Sequence, residues 1–154
     1  MKKTIRGLSL FLFFLLLVPS VGCRRDINCS SVMLTFADAY GIKGDVYTTD
    51  GHPWEEGYLS DEMLVRLLGE DAPAYLHAAV LMCSDLYQVR ECGIFITEDR
   101  DDALTSAVLL NERIEKLRAF DSAVEGDVMC FGRAVVYFAL PDGERARDIW
   151  RRLL

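Results

Sequence analysis

The spacing of apolar positions changes several times along this chain, and each spacing predicts a different element. Lys2, Lys3 and Arg6 precede an apolar run from Leu8 to Val18 that only Ser9 interrupts and Pro19 ends. That run has the length of a signal-peptide hydrophobic region and falls short of the ~20 residues that span a bilayer. From Cys29 onward, Val32, Met33, Phe36 and Tyr40 recur at helical spacing, with Gly41 as the stop. Gly41 to Tyr58 loses the period and is rich in Gly, Asp, Thr and Pro, which reads as a loop. Ser60 then caps a helix whose first turn holds Asp61 and Glu62. Its stripe is Met63, Leu64, Leu67 and Leu68, and Gly69 ends it.

The second half alternates strands and helices. Asp71-Ala72-Pro73 is a turn, Ala78 to Cys83 a short apolar strand, and Val89 to Thr97 its hairpin partner across Ser84 to Tyr87. Ala103, Ala107, Leu110, Ile114 and Leu117 form one continuous helical stripe. Glu98, Asp99, Asp101 and Asp102 stand at its N-terminal end and Arg113, Lys116 and Arg118 at the other, which suits the helix dipole. Asp127 to Phe131 and Ala134 to Leu140 make a second hairpin about Gly132-Arg133. Ala134 to Leu140 is apolar on both alternating faces, so a central strand covered on both sides is expected. Pro141-Asp142-Gly143 opens a last helix with Ala146, Ile149, Trp150 and Leu153 inward, while Arg145, Arg147, Arg151 and Arg152 form a solvated face. The order predicts a single α+β domain over residues 29–154. Its four-stranded, mostly antiparallel sheet is packed by helices and preceded by two short helices.

Residues 1–22 read as a signal peptide and 23–28 as a short tether beginning at Cys23. Val21-Gly22-Cys23 resembles the lipobox of bacterial lipoproteins, with Ser20 where that motif prefers an aliphatic residue. The resemblance implies a diacylglycerol on the Cys23 sulfur and a protein held at the extracytoplasmic face of the cell membrane. Two acyl chains suffice for stable anchoring. Loss of residues 1–22 would lower Lys plus Arg from 17 to 14 against 24 Asp plus Glu, a net charge of −10. Such a surface repels nucleic acid and anionic headgroups.

If Cys23 carries lipid, Cys29, Cys83, Cys92 and Cys130 remain. Export permits disulfides, yet three of these lie in apolar stretches where a thiol behaves as a small hydrophobe. Pairing therefore stays open. No C-x-x-C occurs and His52 and His77 lack ligand-spaced neighbours, so no metal site and no cofactor are expected. The acidic run at Asp99 fails as a calcium loop, because Leu104 and Leu110 fill the positions that need Gly and Glu. Asn28-Cys29-Ser30 matches a glycosylation sequon by chance. Glu91, a carboxylate within an apolar strand, is expected on an edge strand facing solvent. His52, Trp54, Glu55 and Glu56 make the long loop a candidate binding loop, although a Trp54 that packs down as a plug is the plainer expectation.

The whole mature chain resembles the small lipoproteins, common in clostridia and their relatives, that carry domain-of-unknown-function family four-three-five-eight. The likeness lies in the Cys23 anchor, the paired short helices and the run Val89-Arg90-Glu91-Cys92-Gly93-Ile94-Phe95-Ile96 before the long helix. The closing strand Gly132-Arg133-Ala134-Val135-Val136-Tyr137-Phe138 and terminal helix complete it. It implies location and fold, with no activity attached.

Three functions are compatible with these residues. The first is a non-catalytic, lipid-anchored binding or accessory protein whose partner is an envelope protein or small ligand. The second is an extracytoplasmic thiol enzyme or redox protein using Cys83, Cys92 or Cys130. The third is a structural component of an envelope or transport complex. No phosphate-cradling loop, zinc-protease motif or nucleophile elbow is present, and the first, non-enzymatic reading is the expectation.

Overall fold

The structure, a computed structural model, describes residues 27–83 and 89–154. The signal segment, Cys23 and the Ser84–Tyr87 turn lie outside the described residues. The elements run α1 (Cys29–Tyr40), β1 (Gly44–Thr48), α2 (Asp61–Leu68), β2 (Tyr75–Cys83), β3 (Glu91–Thr97), α3 (Arg100–Phe120), β4 (Glu125–Phe131), β5 (Ala134–Leu140) and α4 (Gly143–Leu153). The class is α+β. The described strands form one antiparallel sheet in the order β1-β2-β3-β5-β4.

Five strands stand where four were expected. The addition is β1, five residues, four half-buried and Asp45 exposed, inside the Gly- and Thr-rich segment read as loop. Its register places Gly44 opposite Cys83 and Thr48 opposite Ala79. An edge strand this short, without a buried face of its own, leaves little periodic trace. The other strands fall close to expectation, with β2 starting at Tyr75 and β3 at Glu91. Strand β5 lies between β3 and β4, and all seven of its residues are buried.

Local chemistry sets the helix ends. The Asn28 side chain accepts a hydrogen bond from the Ser31 N–H at 2.7 Å, and Gly41 takes the left-handed conformation (φ 78°) that closes α1. Ser60 caps α2 through the Met63 N–H. Asp99 caps α3 through the Asp101 and Asp102 N–H groups at 2.8 and 2.9 Å, so the acidic run serves that helix's N-terminus. Asp142 caps α4 through Arg145 N–H.

Helices cover both faces of the sheet. On one face α1 and α4 bury Met33, Phe36, Ile149 and Trp150 against Ile94, Val136 and Phe138. Phe36 and Trp150 stack at 4.5 Å between ring centroids. On the other face α3, joined by α2, buries Ala103, Leu110, Ile114 and Leu117 against Phe95, Val135 and Tyr137. Arg151 and Arg152 of α4 are exposed as expected, while two of its arginines are also engaged across the fold. Arg145 lies over the Tyr40 ring and donates to Ala39 O, and Arg147 pairs with Asp127.

Candidate functional site

The predicted loop residues sit where a partner can reach them. After β1, the chain turns through residues 49–58 and returns beside Thr48. The Thr48 N–H donates to Gly57 O at 2.8 Å and the Leu59 N–H donates to Thr48 O at 2.9 Å. Within the loop, Glu55 N–H donates to His52 O at 2.9 Å, Tyr58 N–H to Glu55 O at 3.2 Å, and His52 N–H to the Glu55 carboxylate at 3.3 Å. Trp54 projects from this tied segment with 90 % of its surface exposed. The plug expectation is thereby overturned: the apolar position under the loop is filled by Leu59, which is fully buried. His52, Glu55 and Glu56 are exposed on the same loop.

The loop also carries a pair that sequence spacing hid. Asp50 Oδ1 lies 2.6 Å from His77 Nδ1, bringing together residues 27 positions apart. Thr49 anchors the pair's base: its N–H donates to Ala78 O at 2.9 Å and its Oγ1 accepts from Ala78 N–H at 2.8 Å. Asp50 and His77 line a cavity of about 590 Å³ with Ile27, Asn28, Thr49 and Leu76. A second cavity of about 470 Å³ lies between α2 and the start of β2, walled by Tyr58, Asp61, Val65, Glu70, Tyr75 and Leu76. Both volumes fall within the range that holds small ligands or side chains. Thr49 and Leu76 belong to both, so the two depressions meet at those residues.

Glu91 departs from expectation. It is 5 % exposed and begins a strand with neighbours on both sides, so it faces no solvent. Its carboxylate accepts from Arg113 Nε at 3.1 Å and Nη2 at 2.8 Å, a two-pronged pair, and from the Tyr137 hydroxyl at 2.7 Å. Burial, followed by the Glu91 charge, holds the Tyr137 hydroxyl well above its usual range, while the Glu91 hydrogen bond pushes Arg113 up. The group is a polar knot between β3, β5 and α3, buried at Glu91 and Tyr137 and open to solvent only along Arg113. Alternation pointed outward because it took one face as open.

Three of the thiols, Cys29, Cys92 and Cys130, are poor nucleophiles. Burial, with a lesser push from the Asp50 charge, raises Cys29 to about 12. Burial, then the Glu91 charge, raises Cys92 further. Cys130 is exposed, and partial burial of its sulfur still raises it despite Arg100. The described residues hold no group of three or more His, Cys, Asp or Glu side chains placed to bind a metal ion. None of the described helices is long and apolar enough to cross a membrane. No family profile matches this chain, and neither the curated proteins nor the solved structures contain a match.

Proposed function

We propose that the chain is a non-catalytic, lipid-anchored binding module on the extracytoplasmic face of the cell membrane. Its recognition face is loop 49–58 together with α2 and the start of β2. One observation carries the reading: Trp54 stands 90 % exposed on a loop that backbone hydrogen bonds hold in place. Ordering a loop costs conformational entropy, and a tryptophan presented this way returns none of it through the core. Tryptophan is also the residue type most enriched where binding energy concentrates. The raised Cys29, Cys92 and Cys130 thiols favour a binding role over chemistry at those three sulfurs. The anchor rests on the lipobox resemblance at Val21-Gly22-Cys23.

Two measurements test this. Mass spectrometry of the native N-terminus from the membrane fraction should find an acylated Cys23; an unmodified, freely soluble chain removes the anchor. A photo-crosslinking residue at position 54 should recover one reproducible partner in intact cells. The same residue at position 151, where Arg151 is exposed on α4 and paired with Asp148, should not. Equal or absent labelling at the two positions removes the recognition face.

A further inference from the structure

Strand β2 is nine residues long, but β1 accompanies only its last five, from Ala79 to Cys83. Thr49 extends the contact by one residue, to Ala78. On that side Tyr75, Leu76 and His77 face no strand among the described residues. The pairing with β3 slips between Tyr75 and His77, which makes Leu76 a bulge residue. A bulge re-aims side chains, and here Leu76 and His77 are both exposed although strict alternation would bury one of them. Leu76, 49 % exposed, is the residue at which the two cavities meet.

Among the described residues the charges lining the cavity beside α2 are Asp61 and Glu70, with no lysine or arginine. On the other side Asp50 is paired with His77. Val65, Tyr58 and Leu76 supply apolar wall between the carboxylates. An open strand edge recognises extended chain through backbone hydrogen bonds, and flanking pockets select alternate side chains.

Resting on the binding reading above, we infer that the occupant is an extended peptide segment of a partner protein, with lysine or arginine alternating with apolar residues, added along β2 at Tyr75–His77. Its cations enter the cavity of Asp61 and Glu70 on the α2 face, and its apolar side chains, which alternation sends to the opposite face, meet Leu76 and Ile27 in the other cavity. The backbone of the segment completes the pairing that β1 leaves off at Thr48.

The test is a titration of the ¹⁵N-labelled full chain in detergent with three probes: a heptapeptide of alternating lysine and valine, its glutamate–valine counterpart, and n-hexylammonium. The lysine–valine peptide should shift the amides of Tyr75, Leu76 and His77 and slow hydrogen exchange at Leu76 by at least about tenfold. Glu70→Gln should weaken it roughly threefold, the worth of one exposed charge pair. Asp61→Asn should do the same, but Asp61 also serves the first turn of α2, so Glu70→Gln is the cleaner variant. Leu76→Pro, lacking the backbone donor, should abolish binding. Equal binding of the glutamate–valine peptide overturns the inference, as do shifts that spare residues 75–77. So does hexylammonium reproducing the peptide's shifts, which would make the cavity a small-amine site. A position-54 crosslink that persists while the peptide fails leaves the binding reading standing and removes the strand-addition inference alone.

Discussion

Tyr137 lies across Gly93, its cross-strand partner, so closely that a β-carbon on Gly93 would stand 2.6 Å from Cε1 of the ring. The missing side chain gives the ring a bed on the sheet, and the hydroxyl thereby reaches the Glu91 carboxylate two residues back along β3. Gly93→Ala should displace the ring and lose that hydrogen bond. Overpacking and a lost bond to a charged acceptor together should cost about 3 kcal/mol. Urea unfolding measures it, and a loss under about 1 kcal/mol would contradict the arrangement.

Arg113 and Glu91 should behave as a unit. Removing Arg113 strands a carboxylate whose side chain is only 7 % exposed, whereas the guanidinium itself is 25 % exposed. Arg113→Ala should therefore cost about 2 to 3 kcal/mol, toward the lower end for breaking a buried pair. The double variant Glu91→Leu with Arg113→Met should lose less than Arg113→Ala alone, because no buried charge remains. Additive losses in the double-mutant cycle would refute the pairing.

Alkylation should rank the thiols by burial. Iodoacetamide at pH 8 should modify Cys130 first, since it is exposed, while Cys29 and Cys92 are fully buried and wait for global unfolding. Peptide mapping over time reads the order. Rapid labelling of Cys92 in the folded protein would revive the thiol-enzyme reading.

Stability should decline in alkali. Cys29 is raised from 9.0 to about 12, and Tyr40, Tyr75 and Tyr137 are all raised above 10.0, chiefly by burial. Each group ionises more readily in the unfolded chain, so its contribution is intact below pH 9 and is lost as pH climbs from 9 toward 12. Melting temperature should hold between pH 7 and 8.5 and fall progressively above it. A flat profile to pH 11 would contradict these burials.

Trp54→Ala should leave the unfolding free energy within about 0.5 kcal/mol of the parent, since the side chain is almost wholly in water. It should nonetheless abolish partner recovery by a crosslinker placed elsewhere on the loop. A loss of stability above 1 kcal/mol would mean that the indole packs against the domain after all.

The parts legible in the sequence are those whose signal is local. The stripe from Ala103 to Leu117 announces α3, Ser60 and Asp99 announce helix starts, and the wholly apolar β5 announces a strand covered on both faces. What stayed hidden depends on distant residues. The strand β1 exists because β2 is there to pair with it. Glu91 is buried because Arg113 and Tyr137, 22 and 46 residues further on, satisfy it. Asp50 and His77 meet through the sheet register, which no spacing rule anticipates. Trp54 was misread because loop tryptophans usually find a core, and here Leu59 had already filled it.

The stack of Phe36 on Trp150 joins the earliest described helix to the last. The Tyr40 hydroxyl accepts from the Asp142 N–H and Arg145 reaches back to Ala39 O, so the same clasp is closed three times over. The β4–β5 side of that face therefore stays bare until α4 arrives, although α1 packs against β1, β2 and β3. Such a layer defers completion, because contacts this distant in the chain close late. Synthesis from the N-terminus leaves β4 and β5 uncovered on that side until α4 is made.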